Sequence, residues 1–355
     1  MKSIYKFCDL IEEVSERNTN LEYGLNDIVG VTINKGIIST VANLTQTALN
    51  KFYVIRRKTF IYNPRTHGVR LGMGYNDTDN VYITTWNNIA FKVKDSVKDI
   101  LNPDYLWLYF NRSEWDRETN YNAWGSSTIV FSWSIFLNLT IELPDKEFQD
   151  TIVNQYKAIT DRIALKQKIN DNLDAQAEAI YKDIFVINPS PDWATGTLKD
   201  LLTVKYGKDH KQLADGNIPL YGSGGIMRYV ERALYEKESV LVPRKGSLNN
   251  VLYVNKPFWS VDTMFYTEMK HDNVAKYVYY YIREKDLAGM DTGSAVPSMS
   301  AEIIHSMQLF IPDNNTLDRF ERILKPIFLY VETNTCEIEY LKALSQNMLT
   351  ILSSR

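Results

Sequence analysis

The chain has 355 residues, 45% of them hydrophobic and 23% charged, with a net charge of −3. That length can carry two domains with separate cores, and no apolar run approaches the ~18 residues that a membrane-crossing helix needs. The N-terminal MKSIYKFCDL lacks the apolar centre of a signal peptide, and two cysteines, Cys8 and Cys336, argue against a disulfide framework and for a reducing, cytoplasmic setting.

In chain order, residues 1–144 read as a first globular domain of short strands. Runs expected to be strands are 52–55, 59–62, 81–85 and 89–93, each β-branched or aromatic and bounded by Gly, Asn, Asp or Pro. The aromatic-rich stretch 105–115 reads as a short amphipathic helix. Residues 145–187 begin after the turn Leu143-Pro144-Asp145 and carry Ile152, Tyr156, Ile159, Ile163, Lys166, Asn170, Leu173, Ala177, Ile180 and Ile184 in 4-3-4-3 steps. This is the a/d seam of a coiled coil. Asn188-Pro189-Ser190-Pro191 breaks that helix and serves as the linker.

Residues 188–312 form a second globular domain, with strands expected at 240–242, 251–254 and 263–267 and a short helix at 274–285. Residues 313–355 repeat the long-helix pattern after Ile311-Pro312-Asp313, through Phe320, Leu324, Ile327, Val331, Asn334, Ile338, Leu341, Ser345, Met348 and Leu352. Pro326 removes a backbone donor and is expected to kink this helix. Each helix of about 40 residues would be roughly 60 Å long. Lys166, Asn170 and Asn334 place polar groups in mid-seam, where they can fix register and partner.

The two halves correspond beyond the helices. Gly125-Ser126 returns as Gly293-Ser294, Ser132 as Ser300 and Ile135 as Ile303, all 168 positions on. Asp9-Leu10-Ile11 returns as Asp200-Leu201-Leu202, and Pro64-Arg65 matches Pro243-Arg244 at a shift of 179. The expected fold is mixed α/β, with two globular domains of short strands and helices. Two long antiparallel coiled-coil helices separate them, and an internal pseudo-two-fold relates the halves.

Chemistry is sparse. His67, His210, His271 and His305 have no Cys or His at ligand spacing, so no zinc site is indicated. There is no nucleophile elbow, and Tyr221-Gly222-Ser223-Gly224-Gly225 fits neither Walker A nor the Rossmann loop, which leaves a flexible turn. Tyr62-Asn63-Pro64-Arg65 lacks the second proline and the aromatic residue of the amino-methyltransferase motif. Charge, in contrast, is unevenly spread. Between Ile28 and Asn76 there is no acidic residue but seven basic ones, Lys35, Lys51, Arg56, Arg57, Lys58, Arg65 and Arg70, and Ser239 to Val261 is also acid-free with Arg244, Lys245 and Lys256. Such patches suit phosphate binding more than the net charge suggests. Arg and Lys can bond guanine acceptors, while Ser, Asn and backbone amides suit phosphates. The candidate DNA-contacting residues are Arg56, Arg57, Arg65, His67, Arg70, Lys205, Lys208, Tyr221, Ser223, Arg244, Lys245, Ser247 and Asn249.

The ordered segments TLKDLL, GNIPLYGSGGI, VLVPRKGSLNNVLYV, FWSVDTMFY and GSAVPSMSAEII resemble a target-recognition domain of a type I restriction–modification specificity subunit. LPDKEFQDTIVNQYKAITDRIALKQKINDNLDAQAEAIYKDIF resembles that family's central helix. The resemblance implies a non-catalytic subunit that binds a bipartite DNA sequence, each domain reading one half-site while the helices set the gap and dock modification subunits, expected to be two. S-adenosylmethionine would sit in those partners, ATP and magnesium in the restriction subunits, and no cofactor in this chain. Two other classes compete. A coiled-coil scaffold would show no salt-dependent DNA affinity, and a self-contained methyltransferase would need the motifs that are missing.

Overall fold

A computed structural model describes residues 3–40, 48–66, 70–125, 129–290 and 298–354. The chain divides into two compact units, Met1–Leu165 with Glu337–Arg355, and Lys166–Cys336. His67, Ser126 and the Gly293-Ser294 pair lie outside the described residues.

The first unit contains β1 (Ser3–Lys6), α1 (Phe7–Leu10), β2 (Ile11–Glu13), β3 (Val29–Val31), β4 (Ile37–Ser39), β5 (Tyr53–Ile55) and β6 (Thr59–Tyr62). It continues with β7 (Met73–Asn76), β8 (Tyr82–Thr84), β9 (Ile89–Val93), α2 (Pro103–Phe110), α3 (Ser113–Asn122), α4 (Trp133–Asn138) and β10 (Thr140–Leu143). The helix α5 (Lys146–Tyr181) follows, ending in a π-helical turn, Lys182–Ile187. The second unit contains β11 (Ala194–Thr197), α6 (Leu198–Leu201), β12 (Leu202–Tyr206), β13 (Asp215–Gly222), β14 (Gly225–Val230), β15 (Ser239–Pro243) and β16 (Leu252–Val254). Then come β17 (Trp259–Ser260), β18 (Met264–Met269), α7 (Ala275–Arg283), α8 (Ala301–Ser306), β19 (Gln308–Ile311) and α9 (Asn314–Ser354).

The repeat reappears as topology. One unit has an antiparallel four-stranded sheet in the order β2-β9-β6-β7, the other in the order β12-β18-β15-β16. A small two-stranded pair closes each, β1 with β10 and β11 with β19. Ser132 and Ser300 cap α4 and α8 by accepting from the amides of Ile135 and Ile303 at 3.3 and 3.2 Å, which explains why those residues recur together. The Pro-Asp turns act in the same way: Asp145 accepts from Phe148 N at 2.9 Å and Asp313 from Thr316 N at 3.0 Å, capping α5 and α9. Asn102 donates to Asp150 at 2.6 Å, and Asn273 to Asp318 at 2.8 Å, so each globular part is tied to a long helix by the same bond.

The cores are aromatic. In the first unit Phe7, Phe60, Phe91, Phe110, Trp115 and Phe136 are fully buried, with Phe60 stacked on Phe91 at 5.0 Å. In the second, Phe185 meets the edge of Phe320 at 4.9 Å, and Tyr181 stacks on Tyr280 at 5.5 Å.

Within each unit the two long helices contribute antiparallel segments. In the first, Arg162 pairs with Glu337 at 2.5 Å, and Ile152 and Leu352 pack on one core. In the second, Lys166 reaches Asn334 at 2.8 Å while Phe185 reaches Phe320. Seam burial is uneven. Phe320, Leu324, Ile338 and Leu341 are buried, whereas Ile152, Ile159, Ile163, Leu173, Ile180, Ile184, Ile327, Val331, Met348 and Leu352 are half-buried, as a two-helix seam without a third layer leaves them.

Some expectations need correction. The stretch 105–115 is two helices, α2 and α3, broken at Asn111–Arg112, where Asn111 Nδ2 caps back onto Trp107 O at 2.7 Å. Pro326 lies inside helix α9 and does not end it. The strands β1, β10, β11 and β19 lack a hydrophobic alternation long enough to announce them.

Candidate nucleic-acid interface

In the second unit four connections converge at one edge: residues 207–214, the turn 223–224, residues 244–251 and residues 261–263. Arg244 N and Lys245 N both donate to Thr263 O, at 2.8 and 3.2 Å, and Arg244 Nη1 donates to Asp262 O at 3.2 Å. The Arg244 guanidinium lies 5.5 Å from the ring centre of the exposed Tyr206. Lys208 N donates to Ser260 O at 2.9 Å, and Trp259 Nε1 donates to Lys208 O at 3.0 Å. Asn250 Nδ2 donates to Ser223 O at 2.7 Å, binding the 244–251 loop to the β13–β14 turn. Gly246 has φ +86°, a left-handed conformation that favours glycine, and a Cβ there would lie 2.8 Å from Ser223 Oγ.

This frame presents Lys208, Arg244, Lys245 and Ser247 together. Lys208, Lys245 and Ser247 are exposed and Arg244 half-buried. Neither lysine nor Arg244 has a carboxylate partner among the described residues. The nearby Asp209 is held ionised, its pKa lowered by the amides of Lys211 and His210. The other candidates of this unit stand apart. Lys205 pairs with Glu268 at 3.5 Å on the sheet face. Asn249 is engaged, donating to Asp286 at 3.3 Å and accepting from Ala288 N at 3.0 Å. Tyr221 is buried in an apolar cluster with Leu220, Phe258 and Trp259, so its ring is core rather than surface.

The first unit is less open than its acid-free span suggests. Arg56 pairs with Glu16 and Arg57 with Asp79, both at 2.7 Å; Lys58 pairs with Asp104 at 2.5 Å. Lys35, nearly buried, and Arg70 share Asp116 at 2.8 and 3.6 Å. Acids crowded into residues 95–118 thus fold back onto the basic span, which a count along the chain could not register. Lys51 and Arg65 remain without a carboxylate partner among the described residues.

Arg65 is the counterpart of Lys245, not of Arg244. Arg65 bridges Val130 and Lys245 bridges Ser298, two residues related by the 168-residue repeat. Likewise Phe131 N donates to Pro64 O at 2.8 Å and Met299 N to Arg244 O at 2.9 Å. The true shift here is 180; matching Pro-Arg to Pro-Arg at 179 slips the ladder by one residue, which would reverse every side chain's face.

The same register exposes a site that sequence comparison missed. Tyr75 lies opposite Phe60, and Tyr253 opposite Val240. Beside Tyr75, Lys58 pairs with Asp104; beside Tyr253, Glu238 pairs with Lys276 at 3.0 Å. The charges are exchanged between equivalent positions, and in the second unit Glu321 on α9 adds a bond to Lys276 at 2.8 Å. Among the described residues no group of His, Cys, Asp and Glu could hold a metal ion, and no helix is long and apolar enough to cross a membrane.

Two sheets in one order, each carrying a basic loop at the corresponding ladder position, make up a duplicated structural module. Residues 191–343 match the family model described as type I restriction modification DNA specificity domain. Over 113 residues the chain is 28% identical to the type I restriction enzyme HindI specificity subunit of Haemophilus influenzae, covering 31% of this chain and 24% of that protein. The match therefore spans about a quarter of that relative's length. The crystal structure of a type I restriction–modification system S subunit from M. genitalium has the same fold, with TM-score 0.66 over 98% of this chain and 95% of that one at 15% identity.

Proposed function

We propose that the chain is the DNA specificity subunit of a type I restriction–modification complex and is itself non-catalytic. In this reading residues 1–144 and 188–312 are target-recognition domains, each reading one half of a bipartite duplex sequence. Residues 145–187 and 313–355 are the helices that set the spacing and dock the modification subunits, two of them by the symmetry of the repeat. S-adenosylmethionine belongs to those subunits, ATP and magnesium to the restriction subunits, and the complex works on cytoplasmic DNA.

The observation that supports this most is the recurrence of a basic loop, Arg65 in one unit and Lys245 in the other, at the same ladder position. One unit would present one cationic loop to one half-site, with phosphates fixing register and base edges giving specificity. The test is a genome-wide map of methylated adenines in cells that hold the modification subunits, with and without this gene. The reading expects a gapped, two-part methylated sequence that disappears with the gene. Identical maps would refute it.

A further inference from the structure

Resting on the DNA-binding reading, we propose that Met227 is a specificity-determining residue whose thioether side chain makes apolar contact with the 5-methyl group of a thymine in the major groove. Tyr221 pairs with Ile226 but Leu220 pairs with Arg228, so Met227 is the extra residue of a β-bulge in β14. Bulges re-aim a side chain out of the strand's alternation and concentrate next to functional sites. Here the re-aimed side chain is large, apolar and 59% exposed, which the fold's own packing does not require.

Its seat is specific. A Cβ on Gly222 would lie 2.5 Å from Met227 Sδ and 3.8 Å from Val261 Cγ2, so the missing side chain is what lets Met227 lie over the strand beside residue 261. The next residue, Asp262, gives its carbonyl to Arg244, and Ser223 beside Gly222 is tied to Asn250. Met227 therefore stands at the Arg244–Ser247 loop, whose cations would hold the phosphates. At the hairpin tip a Cβ on Gly224 would meet nothing within 4 Å, and Gly224 has no positive φ. The fold does not demand glycine there, but a bare backbone allows close approach of a ligand. Among base edges the thymine methyl is the apolar group that the major groove presents, and methionine's flexible, polarizable chain adapts to such a contact.

The test uses the chain assembled with its modification subunits and the target duplex found by methylation mapping. Each thymine of the half-site read by the second unit is replaced in turn by deoxyuridine, which removes only the methyl. At one position the wild-type complex should lose roughly three- to fivefold in affinity, the worth of one buried methylene-sized group. Met227→Ala should bind both duplexes equally. It should also leave the slope of log affinity against log salt unchanged, because no phosphate contact is lost. A half-site without thymine on either strand, a wild-type complex indifferent to every replacement, or a Met227→Ala complex that still prefers thymine would each overturn the proposal. Absence of any salt-dependent binding by the wild-type complex would instead overturn the DNA-binding reading, and the role of Met227 with it.

Discussion

The ammonium of Lys166 donates to the side-chain oxygen of Asn334 at 2.8 Å, and Asn334 donates onward to Asn170 at 2.9 Å. Asn334 is fully buried, in a seam that is otherwise apolar on that helix except for Ser345. Three polar side chains thus form one layer whose groups satisfy each other only in this register, since a slip of one heptad would leave Asn334 against apolar residues. Asn334→Leu should remove the acceptor while leaving the Lys166 ammonium beside the seam, lowering unfolding free energy by about 1–3 kcal/mol. Lys166→Leu with Asn334→Leu should recover most of that loss, because replacing both partners by apolar groups is often neutral. Denaturant unfolding of both variants measures it; a double variant no more stable than the single would contradict the layer.

The exchanged charge pairs should differ in strength. Lys276 is buried, bonded to Glu238, Tyr253 and Glu321 and lying over the Phe328 ring. Lys276→Met should strand two carboxylates and cost about 3–5 kcal/mol. Lys58 and Asp104 are each about a third exposed, so Lys58→Met should cost no more than ~1 kcal/mol. Equal losses, read from unfolding midpoints, would count against this ordering.

Acid should loosen the helix starts. The Asp313 carboxyl is held below its usual range by the Thr316 amide, then by the Thr316 hydroxyl and Trp193, and the Asp150 carboxyl by the Lys146 ammonium and Asn102. A carboxylate with a depressed folded pKa adds stability above its unfolded value near 4, and that stability is lost as pH falls through the folded value. Unfolding midpoints should therefore fall below about pH 4. Asp313→Asn keeps a cap-forming side chain but cannot titrate, so part of this fall should vanish; an unchanged profile would show that Asp313 contributes nothing.

Much of the fold was legible because it rests on local signals: period-7 stripes for α5 and α9, Pro-Asp turns for their caps, and repeated Ser-x-x-Ile for α4 and α8. What escaped has a common cause. Lys58 and Glu238 occupy one structural position with opposite charge, and Arg65 aligns with Lys245 across a one-residue slip, so identity between the halves misleads where the ladder does not. The basic span from Ile28 to Asn76 was read without the acids that fold onto it, because pairing such as Lys35 with Asp116 links residues far apart in sequence. Tyr221 was legible as part of a glycine-rich turn, yet its burial depends on Phe258 and Trp259 of a later strand.

Salt dependence separates the loops. Lys245→Ala should reduce the slope of log affinity against log salt by about 0.9, the release of one counterion. Lys35→Ala should leave the slope unchanged, since Lys35 is buried against Asp116 and Phe110 O. Titrations at several salt concentrations with the assembled complex decide this, and a slope altered by Lys35→Ala but not by Lys245→Ala would reverse the assignment.

The central claim is that one chain carries two independent reading units. Exchanging residues 192–308 for the matching segment of a relative with a different target, then mapping methylated adenines, tests it most directly. The account predicts that one half of the methylated sequence changes to that of the donor while the other half and the two-part form persist; a change in both halves at once would contradict it.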